Sequence, residues 1–208
     1  MSIDSFGRFC QALPMMETSE PDRVKQETIL GAAMAVLCQY GYRRTSMEDI
    51  AQAAGMSRPA LYQHFRNKEN IARCMVQVYF DQSVQAVTQA LAGQGTVPDL
   101  LRAGYAAKTG PMIRDMLDSP HGAELLDLKN SQARDLVEDG SARITAVFAD
   151  WLTREVAAGR VTLDAPAGDT ATVLLRALDG IKRPPYARFV AERDQLATLL
   201  GRGLQSPL

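Results

Sequence analysis

The stretch AGMSRPALYQHFRNKEN, residues 54–70, combines a turn glycine, a helix start and polar side chains typical of a surface. Gly55 is suited to end one helix, and Ser57 is suited to cap the next. Leu61 and Phe65 lie four residues apart, so they share one helical face and leave the other faces for different contacts. Two short helices joined in this way predict a helix-turn-helix motif.

The helix before this turn begins in TSMEDIAQAAG, residues 45–55. Ser46 with Asp49 three residues later fits a capping box, and Thr45 with Glu48 fits the same pattern one residue earlier. The helix is rich in alanine, so the following helix can cross it closely. The pattern therefore predicts a compact start for the motif.

Apolar residues recur at helical spacing along the remaining chain, without a useful stretch of β-type alternation or a fixed-period repeat. Ser19 and Asn67 are predicted N-caps, and Gly41 is the predicted end of the first helix. Helices are predicted at about 21–40, 67–90, 98–108, 111–118, 131–158, 169–181 and 186–201. The sequence thus predicts an all-α fold.

The composition is that of an ordinary globular protein, with 46% hydrophobic and 23% charged residues. No apolar run approaches the roughly 18 residues of a membrane span, and the N-terminus does not match a signal peptide. Cys10, Cys38 and Cys74 are widely spaced, which favours reduced thiols over a disulfide framework or a zinc site. We therefore expect a cytoplasmic protein without a bound metal.

Charge is distributed unevenly although the net charge is only −1. Residues 21–80 contain eight Lys and Arg against five Asp and Glu. This excess permits nucleic-acid binding but does not establish it, since local contacts decide such binding.

Sequence signals of catalysis are missing. The chain has two histidines and contains no G-x-S-x-G, G-x-x-x-x-G-K or H-E-x-x-H motif. We therefore expect a protein that is not an enzyme and that uses no cofactor.

The polar residues of the predicted second helix suit contact with DNA. Arg58 can pair bidentately with guanine, and Ala60 is small enough for close approach to a base. Tyr62, His64 and Lys68 can donate hydrogen bonds to phosphates. The start of the preceding helix offers amides to a phosphate, with the hydroxyl of Ser46 and with Arg44, Thr45 and Met47 at its rim. Each of these residues also has a purely structural interpretation as a cap, a packing residue or a solvated side chain.

The whole segment GYRRTSMEDIAQAAGMSRPALYQHFRNKENI, residues 41–71, resembles the DNA-binding domain of the TetR family of transcriptional regulators. The matching motifs are Gly41-Tyr42, Thr45-Ser46, Asp49-Ile50-Ala51, Ala54-Gly55-Met56-Ser57, Leu61-Tyr62-Gln63-His64-Phe65 and Lys68-Glu69. Met56 replaces the usual valine. The resemblance is specific over about residues 23–80, and beyond residue 90 it is limited to the pattern of helices.

The resemblance implies an N-terminal three-helix DNA-binding domain followed by a larger helical ligand-binding and dimerisation domain. The corresponding ranges are a flexible arm at 1–20, the DNA-binding domain at 21–82 and the regulatory domain at 83–208. Family members contact DNA from the start of the second helix, the third helix and the start of the fourth. Those contacts correspond here to Thr45, Ser46, Met47, Ser57, Arg58, Pro59, Ala60, Tyr62, His64 and Lys68.

The resemblance further implies a homodimer on a palindromic operator, released by a small-molecule effector. Candidate effector contacts are Tyr105, Met112, Met116, His121, Phe148 and Trp151. The more common role of such apolar residues is plain core packing, and that of His121 is a helix start or a solvated residue. The apolar stripes of the last two helices predict a dimer interface, with packing inside one chain as the alternative. The interface candidates are Val173, Leu174, Ala177, Leu178, Phe189, Leu196, Leu199 and Leu200.

Three other functions stay open at this point. The same scaffold could serve an activator or a nucleoid-organising protein, and transcription from the bound promoter would separate these from a repressor. A helical bundle that only sequesters a ligand would not need the helix-turn-helix. An enzyme is disfavoured by the missing motifs.

Overall fold

The computed structural model describes residues 20–122, 124–126 and 133–205. Helices connected by turns and loops make up most of these residues, which confirms the predicted all-α class. Most predicted helix ends fall within one turn of the observed ends. In chain order the helices are α1 Glu20–Tyr40, α2 Met47–Ala53, α3 Arg58–His64, α4 Lys68–Leu91, α5 Val97–Lys108, α6 Pro111–Leu117, α7 Arg134–Ala157, α8 Ala167–Gly180 and α9 Tyr186–Leu204.

Some sequence-based predictions fall outside these ranges. The predicted arm at 1–20 lies outside the described residues except for Glu20, which begins α1, and the predicted cap Ser19 lies outside them too.

Outside the helices, one isolated antiparallel bridge joins Val161 and Gln205. Among the described residues, no helix is both long and apolar enough to cross a membrane.

Local chemistry accounts for the ends of the first helices. Gly41 and Gly55 have φ values of +83° and +67°, a left-handed conformation that glycine adopts without strain. Ser46 and Ser57 accept hydrogen bonds from first-turn amides of α2 and α3. Asn67 Oδ1 accepts from the amide of Asn70 at 2.8 Å before α4. The predicted stops at Gly41 and Gly55 and the predicted caps Ser46, Ser57 and Asn67 are therefore confirmed, and the cap of α2 is Ser46 with Asp49 rather than Thr45 with Glu48.

The described chain divides into two compact units. The first contains residues 20–82, 111–122, 124–126 and 133–138, and the second contains residues 83–110 and 139–205. The proposed functional boundary after residue 82 stays a prediction, because a compact unit is not by itself a functional domain. The first unit has a continuous apolar core, in which Ile29, Leu30, Ile50, Leu61, Ile71 and Ile113 are fully buried.

The second unit is organised by close packing of α9 on α5. A Cβ on Gly201 would lie 2.5 Å from Cα of Pro98, so only glycine permits this approach of two backbones. The hydroxyl of Tyr105 donates to the carbonyl of Leu174 at 2.7 Å, which joins α5 to α8 inside the core. Burial removes the apolar ring of this tyrosine from water, and the hydrogen bond satisfies its hydroxyl.

Three charged side chains form a cluster in the second unit. Lys108 and Lys182 both place Nζ on Oδ1 of Asp179, at 2.9 Å and 2.6 Å. Burial, together with the positive charge of Lys182, lowers the pKa of Lys108 to about 8 although Asp179 opposes the shift. Burial would raise the pKa of Asp179, but the two lysines outweigh it and leave a pKa of about 2. One carboxylate therefore serves two ammonium groups.

Replacing Lys108 by methionine should change how stability depends on pH. The pKa of Lys108 is about 8 in the folded chain against an ordinary 10.5. Between these values the unfolded chain holds a proton that the folded chain has released, so this group makes the free energy of unfolding rise with pH. Relative to Lys108→Met, the wild type should gain on the order of 1 kcal/mol per pH unit between pH 8 and 10 in urea titrations.

Lys25→Met is the matched control, because Lys25 is an exposed lysine on α1. It should leave the pH dependence unchanged over the same range. Equal pH slopes for the wild type and Lys108→Met would contradict the assignment of a lowered pKa to Lys108.

Candidate nucleic-acid interface

The start of α2 is held by a reciprocal capping box. Ser46 Oγ accepts from the amide of Asp49 at 3.2 Å, while Asp49 Oδ2 accepts from the amide of Ser46 at 2.8 Å and from its hydroxyl at 2.7 Å. These hydrogen bonds lower the pKa of Asp49 and keep it ionised. A phosphate at this helix start would therefore use the remaining amides, because the Ser46 hydroxyl already donates to a carboxylate.

Packing of α3 against α2 determines which side of α3 faces solvent. Leu61 and Phe65 are buried, together with Ile50 and Ala51 of α2. The opposite side of α3 exposes polar and aromatic groups, as the sequence pattern predicted. The exposed residues on this side include Arg58, Pro59, Tyr62 and Gln63.

Arg58 and Tyr62 interact along the exposed face of α3. The guanidinium donates to the Tyr62 hydroxyl at 3.5 Å and lies 5.6 Å from the centre of the ring. The hydrogen bond to Tyr62 raises the pKa of Arg58. Both side chains are exposed, so re-aiming the guanidinium toward a base edge would lose only a long hydrogen bond and a solvent-screened cation–π contact.

Lys68 at the start of α4 holds the turn between α1 and α2. Its Nζ donates to the carbonyls of Tyr42 and Thr45, the latter at 2.6 Å, and lies 4.3 Å from the centre of the Tyr42 ring. Burial lowers the pKa of Lys68, whereas the charges of Glu124 and Asp49 act in the opposite direction. The predicted phosphate contact of Lys68 stays a prediction, but two of its three donors already bind the protein itself.

The surface position of the predicted DNA contacts varies. The predicted contact of the Thr45 side chain with DNA is wrong in this conformation, because the side chain is buried and its hydroxyl donates to the carbonyl of Gly41 at 2.8 Å. It shapes the turn and cannot present its hydroxyl to DNA in this conformation. Arg44, Ser46, Ser57, Arg58, Pro59 and Tyr62 are exposed, and Met47, Ala60, His64 and Lys68 are half-buried.

Three exposed residues of the same region were missed by the sequence-based prediction. Arg43 lies beside Arg44 in the turn before α2, and Arg66 lies between α3 and α4. Gln63 lies on the exposed face of α3, where an amide side chain can pair with adenine. The basic dipeptide and the polar residue next to Tyr62 were the available signals.

Comparison with known proteins identifies this arrangement. Residues 29–74 match the family model described as bacterial regulatory proteins, tetR family. Over 189 residues the chain is 30% identical to the HTH-type transcriptional repressor Rv1474c of Mycobacterium tuberculosis, covering 85% of this chain and 89% of that protein. The chain belongs to the TetR family.

Two further comparisons refine the picture of this TetR-family chain. It is 38% identical over 71 residues to the HTH-type transcriptional activator FasR of Mycolicibacterium smegmatis, covering 34% of this chain and 32% of that one. Its fold is similar to that of the fatty acid degradation regulator FadR from Bacillus halodurans, with a TM-score of 0.70 and 18% identity over 91% of this chain and 100% of that one. Because the chain belongs to the TetR family, it is a transcriptional regulator with an N-terminal DNA-binding domain and not an enzyme.

The predicted effector contacts of this TetR-family protein fall in both units. Tyr105, Phe148 and Trp151 are fully buried in the second unit, where the Phe148 ring centre lies 6.0 Å from that of Tyr105 and 6.4 Å from that of Trp151. Met112 and Met116 are buried in the first unit. His121 belongs to the first unit as well, with Nδ1 3.6 Å from Oε2 of Glu124. Their role in binding an effector stays a prediction.

A small apolar cavity of about 40 Å³ lies within the first unit. Met34, Met75, Met112 and Met116 contribute four methionines to its lining, and Tyr42 contributes a ring. The volume is that of a few water molecules, so in this form the cavity is too small for an organic effector. Among the described residues, no group of three or more His, Cys, Asp or Glu is placed to hold a metal ion.

The predicted dimer contacts separate into core and surface positions. Leu174, Leu178 and Phe189 are buried within one subunit, which corrects their assignment to an interface: they serve the core of the second unit. Val173 and Leu199 are 62% and 60% exposed. Ala177, Leu196 and Leu200 are half-buried and stay candidates with them.

Replacing Arg58 by alanine should weaken operator binding by about 1–3 kcal/mol and relax base preference at one operator position. The reason is the loss of a planar donor at the start of α3. Selection from a random DNA pool measures the preference. Arg154→Ala removes an equal charge from an exposed site on α7 and should change neither quantity. An unchanged base preference in Arg58→Ala would exclude Arg58 as a base reader.

Replacing Lys68 by methionine should lower the free energy of unfolding by about 1–3 kcal/mol, because two carbonyls lose a charged donor. DNA binding should weaken for all sequences alike, and the salt slope should fall by less than one unit. Arg66→Ala, at an exposed site, should instead lower the slope by about one without loss of stability. Equal behaviour of the two variants would show that Lys68 acts on phosphates alone.

Proposed function

We propose that this protein is a homodimeric transcriptional repressor, which leaves a palindromic operator when a small-molecule effector binds. The observation that carries the DNA-binding part is the polarised α3, with Leu61 and Phe65 buried and Arg58 and Tyr62 exposed. Base readout belongs to Arg58 with Ala60 and Gln63. Phosphate contacts belong to the arginine pair before α2, to the helix starts and to the end of α3.

Repression is favoured over activation by the extent of the similarity. The match to a repressor spans 85% of this chain, including the regulatory half, whereas the match to an activator spans 34%. A DNA-binding domain alone does not determine whether transcription rises or falls. An activator on the same scaffold is the second candidate, and a promoter fusion with and without the protein separates the two.

Dimerisation is supported by the outward side of α8 and α9. Val173 and Leu199 expose large apolar side chains that water solvates poorly, and such groups favour burial against a second copy. A two-fold dimer presents two copies of α3 to DNA. Half-sites should then be related by inverted symmetry and spaced by about one helical turn, roughly 34–36 Å, or a multiple of it.

The effector is proposed to bind in the aromatic core of the second unit. The indole Nε1 of Trp151 and Oε2 of Glu155, one helical turn apart on α7, are buried and have no hydrogen-bond partner among the described residues. Each such group costs about 1–3 kcal/mol when left unsatisfied. A ligand with a hydroxyl group would satisfy both, by accepting from the indole and donating to the carboxylate. Release of the operator requires that the effector prefer the conformation with low DNA affinity.

Selection from a random double-stranded DNA pool should yield an inverted repeat, and light scattering should give twice the 22.7 kDa mass of one chain. The chain contains a single tryptophan, so its emission reports on Trp151 alone. Compounds that release the operator should shift this emission. Release without any change in emission would place the effector elsewhere, and a pool without enrichment would contradict the function itself.

Replacing Leu199 by glutamate should convert the dimer into monomers, because a charge cannot be buried without a partner at an apolar interface. Operator affinity should then fall by about 100-fold or more, as the two half-sites no longer bind together. Val156→Glu is the control, since Val156 is 43% exposed on α7. A dimeric Leu199→Glu protein would contradict this interface.

A further inference from the structure

The turn between α1 and α2, residues 41–46, carries much of the candidate DNA surface. Arg43 and Arg44 are exposed within it, and it ends at Ser46, the N-cap of α2. The position of its backbone therefore sets where two arginines and the first amides of α2 meet the phosphates. Precision here matters because a charge-assisted hydrogen bond depends on distance and direction.

Two charged side chains hold this turn from outside. Lys68 donates to the carbonyls of Tyr42 and Thr45. Oε1 of Glu124 accepts from the amide of Arg43 in the same turn at 3.1 Å, across a separation of 81 residues. Glu124 lies beyond residues 29–74, which match the family model of the DNA-binding domain.

Gly41 shows how closely Glu124 approaches the turn. A Cβ at position 41 would lie 2.5 Å from Oε2 of Glu124 and 3.0 Å from Nδ1 of His121. The φ of +83° already favours glycine at this position. Glycine at position 41 therefore permits the left-handed turn and also leaves room for the Glu124 carboxylate.

Charge also connects the two side chains that bind the turn. The negative charge of Glu124 acts on the Lys68 ammonium in the same sense as that of Asp49. Glu124 further lies 3.6 Å from Nδ1 of His121. A carboxylate and an ammonium that attract each other therefore both bind the backbone of this turn.

We propose that Glu124 is a positioning residue for DNA binding, which fixes the backbone at Arg43 and so aligns the Arg43-Arg44 pair and the start of α2. It acts through the Arg43 amide and does not touch DNA. This inference rests on the proposed DNA-binding role of the turn. Operator affinity then depends on a residue of the 121–124 segment, and any event that withdraws this carboxylate weakens binding.

Two substitutions distinguish the effect of where the Glu124 oxygen lies from the effect of its charge. Glu124→Gln removes the charge but keeps an oxygen that reaches the Arg43 amide. Glu124→Asp keeps the charge but shortens the side chain by one methylene, so its oxygen falls short. Glu138→Asp is the control, because Glu138 is an exposed glutamate on α7 that accepts from Arg134. All three changes are conservative and leave the apolar core untouched.

Three quantities are to be measured on each full-length variant: the affinity for the selected operator, its salt slope, and the hydrogen-exchange rate of the Arg43 amide. Glu124→Asp should bind about tenfold more weakly, the effect expected from losing one charge-assisted hydrogen bond. Its salt slope should stay unchanged, because no phosphate contact is lost. Its Arg43 amide should exchange about tenfold faster. Glu124→Gln should stay within about threefold of the wild type in affinity and exchange.

The opposite pattern would overturn the proposal. If Glu124→Asp matched the wild type while Glu124→Gln bound more tightly, the carboxylate would act only by repelling phosphates. Unchanged exchange of the Arg43 amide in Glu124→Asp would also overturn it. This exchange is measured without DNA, so it tests whether Glu124 holds the Arg43 backbone even if the wild type selects no operator, and failure of the proposed function is thereby distinguished from failure of this inference.

Discussion

A helix of seven residues is too short to persist in water, and both α2 and α3 have this length. Each exists because its apolar side is buried and its first amides are capped. Ile50 and Leu61 supply the fully buried anchors, and Ser46 and Ser57 supply the caps. The candidate DNA-binding surface consists of the side chains that this burial and capping do not use. Those side chains can therefore differ without loss of the two helices, whereas the anchors and caps cannot.

Features that depend on residues close in the chain could be predicted from the sequence. Ser46, Ser57 and Asn67 act on amides three residues away, and Gly41 and Gly55 set their own backbone angles. The spacing of apolar residues along the later helices likewise predicted where those helices lie. These signals are local, and the fold class followed from them.

Features that depend on distant neighbours could not be predicted in the same way. The hydroxyl of Thr45 turns inward to the carbonyl of Gly41, and only the formed turn determines that direction. Phe189 and Leu178 have the spacing of an interface stripe, yet the core of their own unit takes them up. An apolar period identifies a buried side but not the partner that covers it. The sequence predicted Lys68 as a surface cation, but in the folded chain its ammonium donates to two carbonyls of the turn.

Charged side chains make close contacts in both units, but they bind different kinds of partner. In the second unit, Lys108 and Lys182 share the carboxylate of Asp179, which fixes α8 to the end of α5 at the cost of a charged lysine in the interior. In the first unit, Glu124 and Lys68 bind backbone atoms of one turn. A pair that binds only side chains adds stability or specificity of packing. If the turn contacts DNA as proposed, a pair that binds its backbone also influences how well the turn fits its target, and movements of the pair would then change affinity.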